Sequence, residues 1–526
     1  MLYVARERLP TYRLHSTNLL SIRRFQNNVP TKDTAAHSVM DSSVLQEKFG
    51  KGIDIQVNAK VLPVATPQST INVPRALGVV ESLRIWLAGL MPNSLVAFQN
   101  EFIHESLGKS QYKVVGSNSK NITLEKVDNP SIKVQSLQVP IYDHTEHINE
   151  VCFENMETAD AKALPTNLVM LHGFGAGLGC YHRNFKGLLE SNRNVKIHAL
   201  DWLGFGGSSN PKIELSTKYV KPPHLETVNY EDPMMTKVHN KYYRLIKGYK
   251  LHYNSPLHGR QYVESTAAVL QDIENYYIDA LEAWRKERNL GKICLMGHSY
   301  GGYLSSAYAM KYPENIEKLL LVSPVGIEKN PLSIQNPALL APPLSRNTTA
   351  ELKPTLNPKE FGFLGRFPIM PPWFVNIWNN NLSLLTLIRL VGPLGPRMLS
   401  QYTMSKSRRG ASNLLQILQL NQYSYNLFKT KSTSETAITK LLNGAVMAKN
   451  PLFGRLDKMA KISNIYWIYG EFDWMNGEAG AMIANEINTM NGGGKNEFYK
   501  VSKAGHNLYM DNPEEFNGLV KKILEE

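Results

Sequence analysis

The chain has 526 residues, 43% of them hydrophobic and 20% charged, a globular composition that excludes a wholly disordered, collagen-like or low-complexity chain. Its formal net charge of +13 favours anionic partners, such as acidic lipid surfaces or nucleic acid. The three cysteines are odd in number and far apart, so they predict neither a disulfide framework nor a zinc site.

The first part of the chain has the composition of a targeting segment. Residues 1–32 contain six Lys or Arg and a single acid, Glu7, with Leu, Ser and Thr between the basic residues. This pattern predicts a mitochondrial presequence, and the alternative is a disordered basic tail. Residues 33–78 are polar and carry Pro63, Pro67 and Pro74, which predicts a disordered linker.

Residues 79–102 (VVESLRIWLAGLMPNSLVAFQNEF) are rich in Leu, Trp and Phe and are interrupted by Pro92. No uninterrupted apolar stretch of about 18 residues occurs, so we do not expect a membrane-spanning helix. The pattern predicts an amphipathic membrane-associating segment over 79–110, with Trp86 at the interface. A helix packed on the protein's own core is an equally open interpretation.

Short apolar runs follow and predict strands, at residues 133–142, 151–153, 167–171, 195–200, 292–296, 319–322 and 465–469. Most are continuously apolar, stop at Gly, Asp, Ser or His, and are separated by helix-length segments. This pattern is typical of a mostly parallel sheet with helices on both faces. The chemistry of such sheets lies beyond the carboxyl ends of the strands.

Two insertions interrupt this alternation. Residues 327–457 are apolar and Pro-rich and lie between two core strands, which predicts a helical cap over a core formed by 111–326 and 458–526. Residues 211–262 are polar and basic. The cations considered in this insertion are Lys237, Lys241, Arg244, Lys247 and Lys250. They face either anionic phospholipid headgroups or solvent, and both interpretations stay open.

The sequence Gly297-His298-Ser299-Tyr300-Gly301 follows a predicted strand and precedes a predicted helix. The pattern G-x-S-x-G in this position is typical of a nucleophile elbow, where small residues allow a sharp turn that holds a strained serine above the sheet. A Gly-rich turn without catalysis is the alternative. We therefore predict that Ser299 is a nucleophile.

A nucleophilic serine needs a base, and the base needs an acid that orients it. Asp473 follows the predicted strand YWIYG, and His506 follows the predicted strand EFYKV, in the chain order that this elbow requires. Glu471 is the second candidate for the acid. We predict a triad of Ser299, Asp473 and His506.

The developing negative charge needs two backbone N–H groups. We predict that Tyr300, directly after the nucleophile, and Phe174, in the loop after strand 167–171, supply them. That loop is not a phosphate cradle, because it has no lysine and no G-K-[ST]. Asp201 is predicted to bind loop backbone rather than to act in catalysis.

Four segments carry a resemblance to a known family: HGFGAGLGCYHRNFKGLL, DWLGFGGSSNP, GHSYGGYLSSAYAMKYPENIEKLLLVSPVGI and GHNLYMDNPEEFN. Over residues 80–210 and 265–525 the chain resembles the abhydrolase lipid-metabolism branch of the α/β-hydrolases. Within that branch it resembles the fungal cardiolipin-specific deacylase and its lysophosphatidic-acid acyltransferase relatives. The resemblance implies an α/β-hydrolase fold with a helical cap insertion.

The branch also carries an H-x-x-x-x-D signature linked to acyl transfer onto lysophospholipids, matched here by His506 and Asp511. Asp511 precedes Asn512-Pro513, a helix start, so a purely structural role is an open alternative.

The resemblance and the charge together lead to an expected activity, which is a serine phospholipase that deacylates an anionic phospholipid, cardiolipin above all. The alternatives are a lysophosphatidic-acid acyltransferase on the same triad and a non-enzymatic lipid-surface scaffold. We expect a peripheral protein of the mitochondrial inner membrane, or else of a lipid droplet or other lipid surface. Neither a cofactor, a metal nor a nucleic-acid partner is expected, since the basic residues are dispersed.

Overall fold

The computed structural model describes thirteen parts of the chain: residues 60–61, 74–91, 94–118, 121–155, 165–191, 194–231, 235–238, 241–340, 349–364, 372–383, 385–407, 414–493 and 495–526. The predicted presequence, 1–32, lies outside the described residues. Of the predicted linker, 33–78, the description covers only 60–61 and 74–78.

Strands are numbered here in chain order within the described parts: β1 Lys60–Val61, β2 Tyr112–Ser117, β3 Ile122–Lys126, β4 Ile132–Ile141, β5 Glu146–Asn155, β6 Thr166–Leu171, β7 Val195–Leu200, β8 His224–Asn229, β9 Met235–Val238, β10 Lys241–Arg244, β11 Ile246–His252, β12 Ile293–His298, β13 Ile316–Val322, β14 Thr349–Leu352, β15 Asn464–Gly470 and β16 Lys495–Val501. Each of the seven runs predicted as strands falls on one of these elements.

The α-helices of the same parts are numbered likewise: α1 Val79–Gly89, α2 Ser94–Leu107, α3 Phe185–Ser191, α4 His258–Glu287, α5 Tyr300–Lys311, α6 Pro337–Leu340, α7 Pro372–Asn379, α8 Leu385–Leu390, α9 Gly395–Ser407, α10 Leu414–Phe428, α11 Ser434–Leu441, α12 Leu456–Met459, α13 Gly477–Met490, α14 Leu508–Asp511 and α15 Pro513–Glu525. Within the described chain, none of these helices is long and apolar enough to cross a bilayer.

An eleven-stranded sheet forms the centre of the molecule, in the order β1-β16-β15-β13-β12-β6-β7-β5-β4-β3-β2. Seven neighbouring strands pair in parallel: β1, β16, β15, β13, β12, β6 and β7. The other four strands, β5, β4, β3 and β2, continue the sheet beyond β7 in antiparallel pairing. Successive residues of one strand enter opposite cores, because side chains alternate across a sheet. In β12, for example, Leu295 joins one core cluster and Met296 the other. Helices cover both faces, as predicted.

The parallel strands bring the ends of β6, β12, β13, β15 and β16 to one edge of the sheet. The loops that leave this edge carry the predicted oxyanion residue, the nucleophile, the acid and the base. Because all these strands run in the same direction, residues separated by more than 300 positions in the chain meet at that edge.

The cap differs from its prediction in one respect. Residues 327–457 do form helices, α6 to α11, but they also contain the strand β14. This strand pairs with β11, which pairs with β8, and both partners belong to the separate insertion 211–262. The two insertions therefore build one three-stranded antiparallel sheet. The prediction missed it because β11 is only seven residues long and its register is interrupted between Ile246 and Gly248.

Two of the five cations named for the basic insertion, Lys247 and Lys250, have described side chains. Lys247 is exposed, and Lys250 pairs with Glu351 of β14 at 3.5 Å. The side chains of Lys237, Lys241 and Arg244 lie outside the described residues. At Lys250 the structure therefore shows an ion pair between the basic insertion and the cap.

The two helices of the segment 79–110 pack in different ways. Helix α2 buries Phe102, Ile103 and Leu107 in the main core. Helix α1 packs Ile85 against the cap, while Val80 and Leu87 stay at least half exposed. The second helix is thus a core helix, and the first has an apolar face toward solvent.

Lys449 links the cap to the insertion 211–262 from a fully buried position. Its Nζ donates to the Tyr219 hydroxyl at 2.7 Å and to the Thr439 carbonyl at 2.9 Å. Burial, assisted by the charge of Lys440, lowers the pKa of Lys449 to about 7. The unfolded chain therefore binds one more proton than the folded chain between that pH and the unperturbed value of 10.5.

This proton difference predicts a pH-dependent stability. The free energy of unfolding contributed by Lys449 rises with pH above about 7, by up to about 1.4 kcal/mol per pH unit. Lys449→Met removes that slope. In urea unfolding, the free energy of unfolding of the wild type should therefore increase relative to that of the variant between pH 7.5 and pH 9.5. Lys458→Met, at an exposed position, is the control. Parallel curves for wild type and Lys449→Met would contradict the prediction.

Candidate active site

Ser299 occupies a strained turn between β12 and α5. Its φ of 55° and ψ of −115° lie in a region that side-chain-bearing residues rarely adopt, at a cost of about 1–3 kcal/mol. The turn is held by hydrogen bonds of its own backbone, since Ser299 N–H donates to the Val322 carbonyl at 2.9 Å and its carbonyl accepts from Gly302 N–H at 3.0 Å. The predicted elbow is therefore present, with the serine at its tip.

His506 lies between Ser299 and Asp473. Its Nε2 is 3.0 Å from the Ser299 hydroxyl and its Nδ1 is 3.1 Å from Asp473 Oδ1. An ionised carboxylate only accepts, so Nδ1 carries the proton and donates it to Asp473. Nε2 is then left as an acceptor for the Ser299 hydroxyl, which is the arrangement that a general base needs.

Asp473 is buried and its carboxylate is surrounded by donors. Burial raises its pKa, but the charge of His506 and the hydrogen bonds from His506, Ser323 and the Met475 amide outweigh burial, so the net pKa is lowered. Met475 N–H donates to Oδ1 at 2.9 Å, and the Ser323 hydroxyl makes a short hydrogen bond to Oδ2. Glu471, the second candidate, instead accepts from the Lys503 amide at 2.8 Å.

The loop after β6 lies directly against the nucleophile. A Cβ on Gly173 would be 3.1 Å from the Ser299 Cβ and from the His298 carbonyl oxygen, which is tighter than ordinary van der Waals contact, so glycine favours this approach. Phe174 follows Gly173 in the chain, and Tyr300 follows Ser299. The centroids of their two rings are 6.5 Å apart, in an edge-to-face arrangement. Among the described residues, neither amide N–H of these two donates to a protein acceptor. Both therefore remain available for the role predicted for them.

Asp201 holds this loop in place, as predicted. Its Oδ1 accepts from Leu178 N–H at 2.8 Å, and its Oδ2 accepts from Gly207 N–H at 2.9 Å and from the Asn149 amide at 2.7 Å. Three donors thus satisfy a carboxylate that is fully buried. A single acidic residue fixes two loops at the edge of the sheet.

A family model described as the alpha/beta hydrolase fold matches residues 166–513. The chain belongs to the α/β-hydrolase fold family. The fold class predicted from the sequence is thereby confirmed, and the matched region contains Ser299, Asp473 and His506 together with Phe174 and Tyr300.

Three relatives narrow the comparison within this family. Protein ECM18 of Saccharomyces cerevisiae is 29% identical over 384 residues, covering 72% of this chain and 74% of that protein. The 1-acylglycerol-3-phosphate O-acyltransferase ICT1 of the same yeast is 28% identical, covering 70% of this chain and 84% of that protein. The human (Lyso)-N-acylphosphatidylethanolamine lipase is 24% identical, covering 68% and 79%. These relatives confirm the resemblance to lipid-metabolism α/β-hydrolases.

Three residues of this α/β-hydrolase site were not singled out in the sequence as site residues. Ser323 contacts the acid, and His298 Nε2 donates to the His506 carbonyl at 2.9 Å. The segment between β6 and α3, residues 172–184, is called the oxyanion loop here because it carries Phe174. The cap helix α10 contributes Tyr423, whose hydroxyl accepts from Gly179 N–H of this loop at 3.1 Å. The sequence did offer a positional signal for Ser323, because this serine directly follows the predicted strand 319–322. The contact of Tyr423 depends on how the cap folds over the core.

Asp511 acts on the backbone of the loop that carries His506. Its Oδ2 accepts from Gly505 N–H at 2.8 Å, one residue before the histidine. Asn512, not Asp511, caps helix α15, because its side chain accepts from Glu515 N–H. The carboxylate of the H-x-x-x-x-D signature is therefore placed to position the base.

The rim of the site is apolar. Phe472 and Trp474, on either side of the acid in the chain, are 61% and 39% exposed. The Trp474 ring lies 5.0 Å from the His506 ring, between centroids. A group that approaches Ser299 beside these residues meets aromatic carbon rather than charge.

One cluster among the described residues combines possible metal ligands, namely Glu150, Cys152 and His198, all buried. The Glu150 carboxylate already accepts from His198 Nδ1 at 2.7 Å and from Trp284 Nε1 at 2.9 Å, and it pairs with Arg288 at 3.1 Å. Its oxygens are thus occupied by two N–H donors and a guanidinium. The chemistry of this donor set fits a buried ion-pair network between β5, β7 and α4.

Proposed function

We propose that the protein is a serine hydrolase that removes a fatty acyl chain from an anionic phospholipid, cardiolipin above all, at the mitochondrial inner membrane. The observation that carries the proposal is the hydrogen-bonded series Ser299, His506 and Asp473, with the serine on a strained elbow. A serine hydroxyl becomes nucleophilic at neutral pH when an oriented imidazole takes its proton.

In the first half of the reaction, the Ser299 oxygen attacks the acyl carbonyl carbon while His506 Nε2 takes the hydroxyl proton. The carbonyl electron pair moves onto oxygen, and the Phe174 and Tyr300 amides donate to that oxyanion. As the tetrahedral intermediate collapses, the bond to the lysolipid oxygen breaks and His506 returns the proton to this leaving group. The acyl chain remains on Ser299.

In the second half, a water molecule gives a proton to His506 and attacks the acyl-enzyme carbonyl. The intermediate collapses, the Ser299 oxygen regains the proton, and a fatty acid leaves. Asp473 stays ionised throughout, since its pKa is lowered, and it stabilises the charged imidazole in both halves. Each step uses side chains and backbone amides of the chain itself.

An anionic lipid substrate is supported by charge and by the rim of the site. The chain carries a net charge of +13, and anionic membrane surfaces attract such proteins. Phe472 and Trp474 present apolar surface beside the base. Among anionic phospholipids, cardiolipin agrees with the basic composition of residues 1–32 and with the family resemblance of the motifs.

A second candidate function is acyl transfer to a lysophospholipid. It is favoured by the relative named as an acyltransferase, 28% identical, and by the contact of Asp511 with the loop of His506. A lysophospholipid hydroxyl would then replace water in the second half-reaction. A third candidate, a lipid-surface scaffold without activity, would leave the ordered triad without a role.

The deciding experiment is mass spectrometry of lipids after incubation of purified protein with liposomes of cardiolipin, phosphatidylethanolamine and phosphatidylcholine. Lysocardiolipin and free fatty acid formed by wild type, and not by Ser299→Ala, are the expected products. In a parallel incubation with added lysophospholipid, consumption of this acceptor without fatty acid release would make the protein an acyltransferase. Identical lipid profiles for wild type and Ser299→Ala would contradict both activities.

Mitochondrial location is tested separately, in cells that express the full chain. We expect the protein in the mitochondrial fraction and its release from membranes by alkaline carbonate, as for a peripheral protein. Replacement of Arg6, Arg8 and Arg13 by glutamine should abolish the import, because presequences depend on positive charge. Recovery of wild-type protein on lipid droplets would contradict this part of the proposal.

Ser323 offers a further prediction for the same mechanism. Ser323→Ala removes one donor from the ionised Asp473, and a hydrogen bond to a charged group contributes about 1.5–3 kcal/mol. We expect kcat/KM for a soluble ester to fall about tenfold or more. Because the pKa of Asp473 rises without this donor, activity should also begin to fall at a higher pH on the acid side.

Ser305→Ala is the matched control, since Ser305 is equally buried and lies on α5. It should change neither kcat/KM nor the pH profile. A Ser323→Ala profile that is merely scaled down, with no shift in pH, would leave Ser323 a structural role only.

A further inference from the structure

Large apolar side chains are exposed mainly on one part of the molecule. Of the 25 exposed large hydrophobic residues in the described chain, six lie in residues 79–91 and ten in residues 373–415. Several are more than half exposed, such as Val80 at 65%, Leu90 at 63% and Leu390 at 75%. Soluble proteins rarely expose such a concentration of apolar surface without a partner.

The two groups belong to one surface, because α1 is held on the cap. The Ser82 hydroxyl donates to the Pro393 carbonyl at 2.7 Å and accepts from the Arg397 amide at 2.9 Å. Leu77 N–H donates to the Ser400 hydroxyl at 2.9 Å, and Ile85 packs into a cluster of cap residues. The buried side of α1 thus faces the cap, and its apolar outer side extends the cap surface.

The charge of the cap is as uneven as its hydrophobicity. The 74 residues from 361 to 434 contain eight Lys or Arg and no Asp or Glu. At the average of the chain, 45 acids in 526 residues, about six acids would occur in a segment of this length. This excess of positive charge in the segment favours an anionic bilayer surface as the partner of the apolar face. A second copy of the chain would bring like charges together.

The same surface is connected to the active site through helix α10. At one end of the connection, Asn426 Oδ1 accepts from the Ser94 hydroxyl at 3.0 Å, and Lys429 donates to the Gly89 carbonyl. At the other end, Tyr423 contacts Gly179 in the oxyanion loop. One helix therefore touches both the end of α1 and the loop beside Ser299.

We propose that the outer faces of α1 and of cap helices α8 and α9 form a single docking surface for a bilayer that contains anionic phospholipid. The proposal rests on the proposed function in that the bilayer presents the substrate. The apolar side chains enter the interface, and the net positive charge of residues 361–434 attracts the anionic headgroups. Docking through this surface places α10, and with it the oxyanion loop, next to the membrane.

Vesicle co-sedimentation of the full chain tests the surface directly. Vesicles of phosphatidylcholine with or without phosphatidylglycerol are the probes, and binding should be stronger to the anionic vesicles and weaker at high salt. Leu87→Asp, on α1, and Leu390→Asp, on the cap, should each lower the binding constant at least about tenfold. Met490→Asp, at an exposed apolar position on the core helix α13, should bind as wild type.

Hydrolysis of a soluble ester without vesicles separates this inference from the proposed function. All three variants should keep wild-type activity there. The docking surface alone would be overturned if Leu87→Asp and Leu390→Asp both bound vesicles as wild type does. It would also be overturned if an active wild type did not bind vesicles. Wild-type vesicle binding without ester hydrolysis would overturn the proposed function alone. A wild-type dimer that Leu390→Asp converts to a monomer would assign the face to self-association and overturn the proposal.

Discussion

Replacing Ser299 with alanine should lower kcat for ester hydrolysis about a million-fold, close to the background that binding and the oxyanion amides still provide. No other hydroxyl can take its place, because His506 Nε2 contacts the Ser299 hydroxyl at 3.0 Å and no other side-chain oxygen is in hydrogen-bond contact with that atom in the described structure. Burst kinetics with a chromogenic ester would show the loss directly, since the acyl-enzyme no longer forms.

The matched control is Ser306→Ala on α5, the helix that follows Ser299. The Ser306 hydroxyl donates to the Gly302 carbonyl at 2.9 Å and has no contact with His506. Its activity should stay within about twofold of wild type, and both variants should unfold at similar temperatures. If Ser299→Ala kept a measurable burst, a different nucleophile would have to be sought.

Replacing Asp473 with asparagine should lower kcat about ten-thousand-fold. An amide NH₂ at the position of the carboxylate favours the imidazole tautomer with the proton on Nε2, which cannot accept from Ser299. The charge that stabilises the imidazolium is lost as well. Steady-state kinetics at saturating soluble ester measure the effect, with KM expected to change little because Asp473 is buried and does not face substrate.

Glu471→Gln is the control for this acid, since Glu471 lies two residues away in the same loop. Its carboxylate accepts from the Lys503 amide and does not contact His506. We expect at most a few-fold loss of kcat. Should Glu471→Gln prove the more damaging of the two, the assignment of the acid would be reversed.

The parts of the site that the sequence predicts are those encoded in short segments. A strand, a G-x-S-x-G turn and a helix are contiguous, so Ser299 and Tyr300 can be assigned from local spacing. Asp473 and His506 each follow a recognisable apolar strand, and parallel strands deliver both to the same edge. Local pattern and topology together are sufficient for these residues.

The missed contacts depend on packing between distant segments. Ser323 follows its strand like any loop serine, and its role arises from the adjacency of β13 and β15, which no local pattern encodes. Tyr423 reaches Gly179 across 244 positions of the chain. Helix α10 that carries it shows only an apolar pattern, which is equally consistent with self-packing of the cap.

The small sheet of the cap limits how this protein can be rebuilt. Because β11 pairs with both β8 and β14, this sheet combines strands from residues 224–252 with Thr349–Leu352, which lies more than ninety positions later in the chain. A chimera that exchanges only one insertion for that of a relative would leave unpaired strand edges, which invite aggregation. The two insertions thus form one structural unit, and a chimera should keep this sheet paired only when both insertions are exchanged together.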